Sequence, residues 1–87
     1  MQMSSELIDA RGLLCPMPIV RLARVAKTSG VGSELVLLSD DPAAATDVPA
    51  WCRLRGQEFI SATTWDGSGG PAMAFTVRIA TQVLNAP

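Results

Sequence analysis

Two prolines, Pro16 and Pro18, constrain the folding of this chain more than any other feature of its sequence. Proline fixes φ and has no N–H, so a helix tolerates it in the first turn but not in the interior. The apolar residues Leu13 and Leu14 precede the pair. The sequence therefore predicts that a strand ends and a helix begins here, with Cys15 as the N-cap residue and both prolines in the first turn.

Cys15 is a candidate nucleophile because of this position. The N-terminus of a helix carries a partial positive charge and unpaired N–H groups, which stabilise a nearby anion. We therefore expect a lowered pKa at Cys15 and a thiolate near neutral pH. The alternative is a buried structural cysteine, since free cysteines are among the most buried residues. The neighbouring prolines favour the exposed, reactive thiol.

The composition indicates one small globular domain spanning residues 1–87. Of these residues 48% are hydrophobic and 17% are charged, which suits a single two-layer core. The net charge of −1 provides no general attraction to nucleic acid or to an anionic membrane. The sequence has no histidine, and its two cysteines lack the spacing of zinc ligands, so we predict neither a metal nor another cofactor.

The N-terminal residues lack the basic and apolar regions of a signal peptide, and no apolar run reaches the roughly 18 residues of a membrane span. Two cysteines also do not make a disulfide framework. We therefore expect a reducing, cytoplasmic setting. No membrane partner and no stable, direct binding of nucleic acid are expected.

The periodicity of apolar residues predicts six secondary-structure elements. In chain order these are a strand at 7–11, a helix at 16–28, a strand at 34–38, a helix at 42–55 and two strands at 59–65 and 73–79. Pro49 should kink or split the second helix, and a Gly-rich connection at 66–71 should join the last two strands. Phe59 and Trp65 have the same parity, which places them on one face of their strand. The segment 81–87 is expected to be loosely held.

The order β-α-β-α-β-β predicts an α+β fold. The first strand, the first helix and the second strand should form a right-handed crossover, which makes the two strands parallel. The last two strands should form a hairpin. We therefore predict a two-layer α/β sandwich, in which a four-stranded mixed sheet carries both helices on one face.

Charged residues flank the predicted reactive loop. On the outer side of the first helix lie three basic residues, Arg21, Arg24 and Lys27. They form either a solvated helix face or a docking surface for an acidic partner. Asp40 and Asp41 precede the second helix, where acidic residues cap the helix or contribute to docking. We keep the three basic residues and Asp41 as candidate partner-binding residues.

Cys52 is interpreted as structural. It forms an apolar i, i+4, i+8 stripe with Ala44 and Val48, which is typical of a buried helix face. A resolving role would require Cys52 to approach Cys15. Trp51 is either part of the core or an exposed binding anchor.

Residues 7–18, LIDARGLLCPMP, resemble the signature of the TusA-like (SirA-like) sulfur carrier family, in which a strand ending in Asp and Gly leads to Cys-Pro-x-Pro. Residues 40–52, DDPAAATDVPAWC, also resemble this family, and closely match its members that serve tRNA thiolation. The resemblance extends over residues 7–79. It implies a two-layer α/β sandwich whose motif cysteine carries sulfur as a persulfide.

By this resemblance, Cys15 is the sulfur-bearing nucleophile, and Pro16 and Pro18 position it. Asp9 and Gly12 match further positions of the motif. Asp9 either orients the Cys15 loop or caps a turn at Arg11 and Gly12. The resemblance also implies two kinds of partner. A cysteine desulfurase or a rhodanese-type protein donates the sulfur, and a downstream protein accepts it, as in the formation of tRNA 2-thiouridine.

We therefore predict a sulfur carrier that is a component of a sulfurtransferase system rather than a stand-alone enzyme. One alternative is sulfur relay in thiosulfate or sulfur oxidation. Another is a regulatory binding module without catalysis, in which Cys15 is incidental to the recognition of a partner.

Overall fold

The computed structural model describes residues 5–81. Its elements are β1 (Ser5–Asp9), α1 (Met17–Thr28), β2 (Glu34–Ser39), α2 (Ala44–Arg55), β3 (Glu58–Trp65) and β4 (Ala72–Arg78). Their order is the predicted one. Apart from Thr81, the loosely held segment predicted at 81–87 lies outside the described residues. Within residues 5–81, no helix is both long and apolar enough to cross a membrane.

The sheet contains four strands in the order β1-β2-β4-β3. β1 and β2 are parallel, with Ile8 opposite Leu37, and α1 connects them. β4 runs antiparallel to both of its neighbours, β2 and β3. The predicted four-stranded mixed sheet is therefore confirmed. Because β1 and β2 are parallel, the loops that follow them meet at the same edge of the sheet.

Both helices pack against one face of this sheet. Alternate residues of three strands face the helices and form one buried cluster with them. Its sheet residues are Ile8, Leu35, Leu37, Phe75 and Val77, and its helical residues are Leu22, Ala26, Ala44, Val48, Trp51 and Cys52. Burial of each Val, Leu, Ile or Phe side chain among them contributes about 1.5–3 kcal/mol to folding. The predicted two-layer sandwich is therefore confirmed, with its core between the sheet and the helices.

α2 differs from its predicted form at two places. It begins at Ala44, because residues 41–43 form a turn in which the N–H of Ala44 donates to the carbonyl of Asp41 at 3.0 Å. It also continues as one helix through Pro49, so of the two predicted effects, a kink or a split, the split does not occur. Although the proline removes one backbone donor, neighbouring side chains, including Val48, remain buried in the core. Packing therefore maintains the helix across Pro49.

Phe59 and Trp65 lie on opposite faces of the sheet, and the prediction that they share a face is wrong. Phe59 pairs with Val77, which faces the core, whereas Trp65 pairs with Ala72, whose parity is opposite to that of Val77. The register shifts between Phe59 and Ser61. A β-bulge of this kind inserts one extra residue and so reverses the faces of the residues beyond it.

Candidate functional site

Cys15 lies in the loop between β1 and α1, and its side chain is exposed. The prediction that it is the N-cap residue is wrong, because Pro16 takes that position. The carbonyl of Pro16 accepts the N–H of Val20 at 3.0 Å, so the helical hydrogen bonds begin one residue after Cys15. Proline suits the N-cap as well, since no helical bond requires its missing N–H. Pro18 lies in the first turn, as predicted, and is buried.

Two acidic residues after β2 hold the backbone of this loop. The N–H of Gly12 donates to both carboxylate oxygens of Asp40, at 3.0 and 3.2 Å. Gly12 itself has a φ of 83°, which favours glycine. The N–H of Cys15 donates to Oδ2 of Asp41 at 2.7 Å, while Oδ1 of Asp41 accepts the N–H of Ala43 at 3.0 Å. The N–H groups of Ala43 and Cys15 lower the pKa of Asp41, which stays ionised and fixes the position of Cys15.

Asp9 caps the turn after β1. Its Oδ1 accepts hydrogen bonds from the backbone N–H and from Nε of Arg11, at 3.1 and 2.9 Å. Its Oδ2 accepts a hydrogen bond from Nη2 of Arg11 at 2.7 Å. These bonds from Arg11 lower the pKa of Asp9 to about 2. Of the two roles considered for Asp9, the structure supports the turn cap rather than direct orientation of Cys15.

Arg11 also connects this turn to the Gly-rich connection at 66–71. Its Nη1 donates to the carbonyl oxygens of Ser68 and Gly70, at 2.8 and 2.9 Å. Gly69 lies between them with a φ of 90°, and a Cβ there would collide with the guanidinium of Arg11. The connection is therefore held against the loop that carries Cys15.

Asp47 is the side chain that contacts the sulfur. Sγ of Cys15 donates a hydrogen bond to Oδ2 of Asp47, in the first turn of α2, at 3.0 Å. This bond, some loss of hydration at the sulfur and the negative charges of Asp47 and Asp41 raise the pKa of Cys15 above its ordinary value. The predicted lowered pKa and resting thiolate are therefore wrong. A full negative charge in contact with the sulfur outweighs the roughly half-charge of a helix N-terminus.

Sequence reasoning did not single out Asp47 as a site residue. Its only signal was its place within residues 40–52, the second segment that resembles the sulfur carrier family. Nothing local in the sequence relates Asp47 to Cys15, because the two lie 32 residues apart. Packing of α2 beside the loop brings them together.

A shallow apolar groove extends from Cys15 between the two helices. Its lining consists of Cys15, Pro16, Ile19, Asp47, Ala50, Trp51, Leu54 and Arg55. Leu54 is 83% exposed at this groove, and Leu14 and Met17, next to the Cys-Pro pair, are 74% and 44% exposed. Apolar side chains exposed around a reactive group are typical of a surface that contacts another protein. The arrangement allows a second protein to bring its own sulfur to Cys15.

The basic residues predicted for partner binding lie elsewhere. Arg21 and Arg24 line a separate groove beside the edge strand β1. Nη1 of Arg21 donates to the carbonyl of Asp9 at 3.4 Å. Lys27 lies in the last turn of α1 and is exposed. The structure therefore groups the two arginines on one surface but does not place the basic residues in the groove at Cys15.

Cys52 lies within the core and is 2% exposed. Burial raises its pKa to about 11, so the thiol is neither accessible nor ionised near neutral pH. This supports the structural interpretation of Cys52. Trp51 is only 7% exposed, so of the two alternatives it is part of the core rather than an exposed binding anchor. It also lines the groove at Cys15. Within residues 5–81, no group of three or more His, Cys, Asp or Glu residues could hold a metal ion.

The fold and the site define a class of protein: a small two-layer α/β domain that presents one exposed thiol on a fixed loop before its first helix. A comparison with protein families matches residues 6–78 to the family described as sulfurtransferase TusA. The chain belongs to this family.

Similarity to individual proteins agrees with this assignment. A "putative sulfur carrier protein" of Archaeoglobus fulgidus is 33% identical over 76 residues, which is 87% of this chain and 95% of that protein. The crystal structure of a SirA-like protein from Desulfitobacterium hafniense matches with a TM-score of 0.66 and 19% identity, over 87% of this chain and 99% of that chain. The predicted membership of the TusA-like (SirA-like) family is confirmed, and the solved structure shows that the fold is shared.

Proposed function

We propose that this protein is a sulfur carrier that relays sulfane sulfur as a persulfide on Cys15. The geometry of Cys15 carries the proposal: an exposed thiol, on a backbone held by Asp41, opens onto an apolar surface groove. Membership of the sulfurtransferase family and similarity to a protein described as a sulfur carrier support the same role. A carrier needs accessible sulfur rather than an enclosed substrate pocket, because its substrate is held by another protein.

The transfer is an exchange reaction at sulfur. A donor protein holds a persulfide, R–S–SH, and Sγ of Cys15 attacks its outer sulfur. A new S–S bond forms at Cys15, and the S–S bond of the donor breaks. The donor sulfur takes up the proton that Cys15 loses, which leaves R–SH and a persulfide on Cys15 with no net oxidation. An acceptor thiol then removes the outer sulfur in the same manner.

The proposed donor is a cysteine desulfurase or a rhodanese-type protein, and the proposed acceptor is a downstream protein that leads to tRNA 2-thiouridine. Candidate contacts are the exposed apolar residues at the thiol and the basic side of α1, namely Leu14, Met17, Leu54, Arg21, Arg24 and Lys27. The proposed contribution of Asp41 is through the Cys15 loop, because both of its carboxylate oxygens accept backbone N–H groups. Both cysteines are free thiols, which supports a cytoplasmic location for the relay.

Sulfur loading tests the proposal directly. The protein is incubated with a cysteine desulfurase and cysteine, or with a rhodanese and thiosulfate, and its intact mass is measured. We expect an adduct of one sulfur atom that reduction removes, that Cys15→Ser does not form and that the matched variant Cys52→Ala retains. Loading only from thiosulfate and a rhodanese would favour relay in sulfur oxidation over tRNA thiolation. An unmodified mass with every donor would instead favour the regulatory binding module.

A further inference from the structure

The contact between Cys15 and Asp47 joins two groups that would both be negative if the thiol ionised. Sγ and Oδ2 are 3.0 Å apart, and the sulfur is the donor. Only a protonated thiol can donate this bond, because a thiolate has no hydrogen to share. Ionised Cys15 would lose the bond and would stand next to a carboxylate. The geometry therefore favours the thiol form at this site.

The other charges around Cys15 do not cancel this effect. From the loop after β2, Asp41 adds a second negative charge, while Asp40 contacts the N–H of Gly12. From α2, Arg55 lines the same groove, yet within residues 5–81 neither Arg55 nor Asp47 takes part in an ion pair.

α1 contributes no compensating cation either. Its first turn, residues 17–20, has no charged residue, and its cations Arg21 and Arg24 line the separate groove beside β1. Lys27 lies in the last turn, at the opposite end of the helix. The charges that act on the sulfur, those of Asp47 and Asp41, are therefore both negative.

We propose that Asp47, through its contact with Sγ, holds Cys15 as a protonated thiol in the free carrier and thereby restrains its reaction with electrophiles. This inference rests on the proposed function and concerns the regulation of the same site. During transfer the thiol proton passes through Oδ2 of Asp47 to the donor sulfur that leaves, so that the exchange stays balanced in protons and electrons. In the absence of a donor, the same carboxylate protects the sulfur from adventitious modification.

The test is the pH dependence with which iodoacetamide alkylates Cys15, followed by mass spectrometry of the peptide that contains it. Asp47→Asn removes the charge but keeps the shape, and its midpoint should lie at lower pH than that of the wild type. Each pH unit by which the midpoint decreases raises the thiolate fraction at neutral pH about tenfold. It also lowers the intrinsic nucleophilicity of the thiolate about threefold, so alkylation at neutral pH should be about threefold faster. Asp47→Glu restores the charge and should return the midpoint towards the wild-type value.

Asp66→Asn is the matched control, because it removes one negative charge from an exposed loop residue that makes no contact with Cys15. Its midpoint should equal that of the wild type. An Asp47→Asn midpoint equal to or above the wild-type value would overturn the inference, as would an equal decrease in Asp66→Asn. Circular dichroism checks that each variant is folded.

A second measurement uses Cys52→Ala, in which Cys15 is the only cysteine of the sequence. The ultraviolet absorbance of the thiolate is titrated in the folded variant and in the same chain unfolded in urea. We expect the folded midpoint of Cys15 to lie above the unfolded one, and a folded midpoint at or below it would overturn the inference. Alkylation and titration involve no sulfur donor, so their outcome is independent of whether Cys15 accepts sulfur.

Discussion

Replacement of Cys52 by serine should separate folding from sulfur transfer. Cys52 is 2% exposed in the core, so the substitution places a hydroxyl group among apolar side chains. A buried hydroxyl without a partner costs about 1–3 kcal/mol of the free energy of unfolding. A bond from the serine to the carbonyl of Val48, one turn earlier, would move the cost towards the lower end of that range. In a domain of this size, each 1 kcal/mol lowers Tm by roughly 4–8 °C.

The assay combines thermal unfolding with sulfur loading at a temperature where the variant is folded. We expect Cys52→Ser to melt below the wild type and to load as much sulfur per folded molecule, because Cys15 is unchanged. Cys52→Ala is the matched variant: it adds no polar group, and loss of the sulfur atom should cost only about 1 kcal/mol. An unchanged Tm in Cys52→Ser would refute the burial argument. A folded variant that no longer loads sulfur would show that Cys52 takes part in the transfer.

Three further predictions address the loops and the groove. Gly69→Ala should lower the free energy of unfolding by about 1–3 kcal/mol, because a φ of 90° strains a residue with a Cβ and that Cβ would displace the guanidinium of Arg11 from its bonds; an unchanged urea midpoint would contradict this. The pKa of Asp9 is about 2 in the folded chain against an ordinary 3.8, so its contribution to stability is complete above the ordinary value and is lost as pH falls towards 2. Across this pH range, Tm should fall more steeply with decreasing pH in the wild type than in Arg11→Met. Equal slopes of Tm against pH would contradict a stabilising pair between Asp9 and Arg11. Leu54→Ser should change the free energy of unfolding by less than about 0.5 kcal/mol, because the side chain is 83% exposed. The same substitution should slow sulfur transfer from a protein donor. An undiminished transfer rate would exclude Leu54 from the contact with the donor.

The boundaries of the elements show how far local patterns extend. The β-α-β-α-β-β order followed from periodicity and from proline and glycine signals, which act over a few residues. The start of α1 was misplaced by one residue, because proline is compatible with both the N-cap and the first turn. The bulge between Phe59 and Ser61 has no such local signal, so the faces of β3 could not be predicted.

The charge state of Cys15 shows why a local argument failed. The position of the residue before a helix predicted a thiolate, and that reasoning considered only the helix to which the loop belongs. The structure adds the carboxylate of Asp47 from the other helix, in contact with the sulfur. The nearer and larger charge decides the direction in which the pKa moves.

Short-range pattern alone therefore determined the succession of strands and helices, the apolar faces of both helices and of β4, and the choice of Cys15 over Cys52 as the exposed thiol. Only the tertiary structure decided what surrounds that thiol. Asp41 and Asp47 lie 26 and 32 residues from Cys15, and the carbonyl of Ser68 lies 57 residues from Arg11. Such contacts exist because the sheet and the helices pack in one particular arrangement, and no feature within a few residues of Cys15 specifies them.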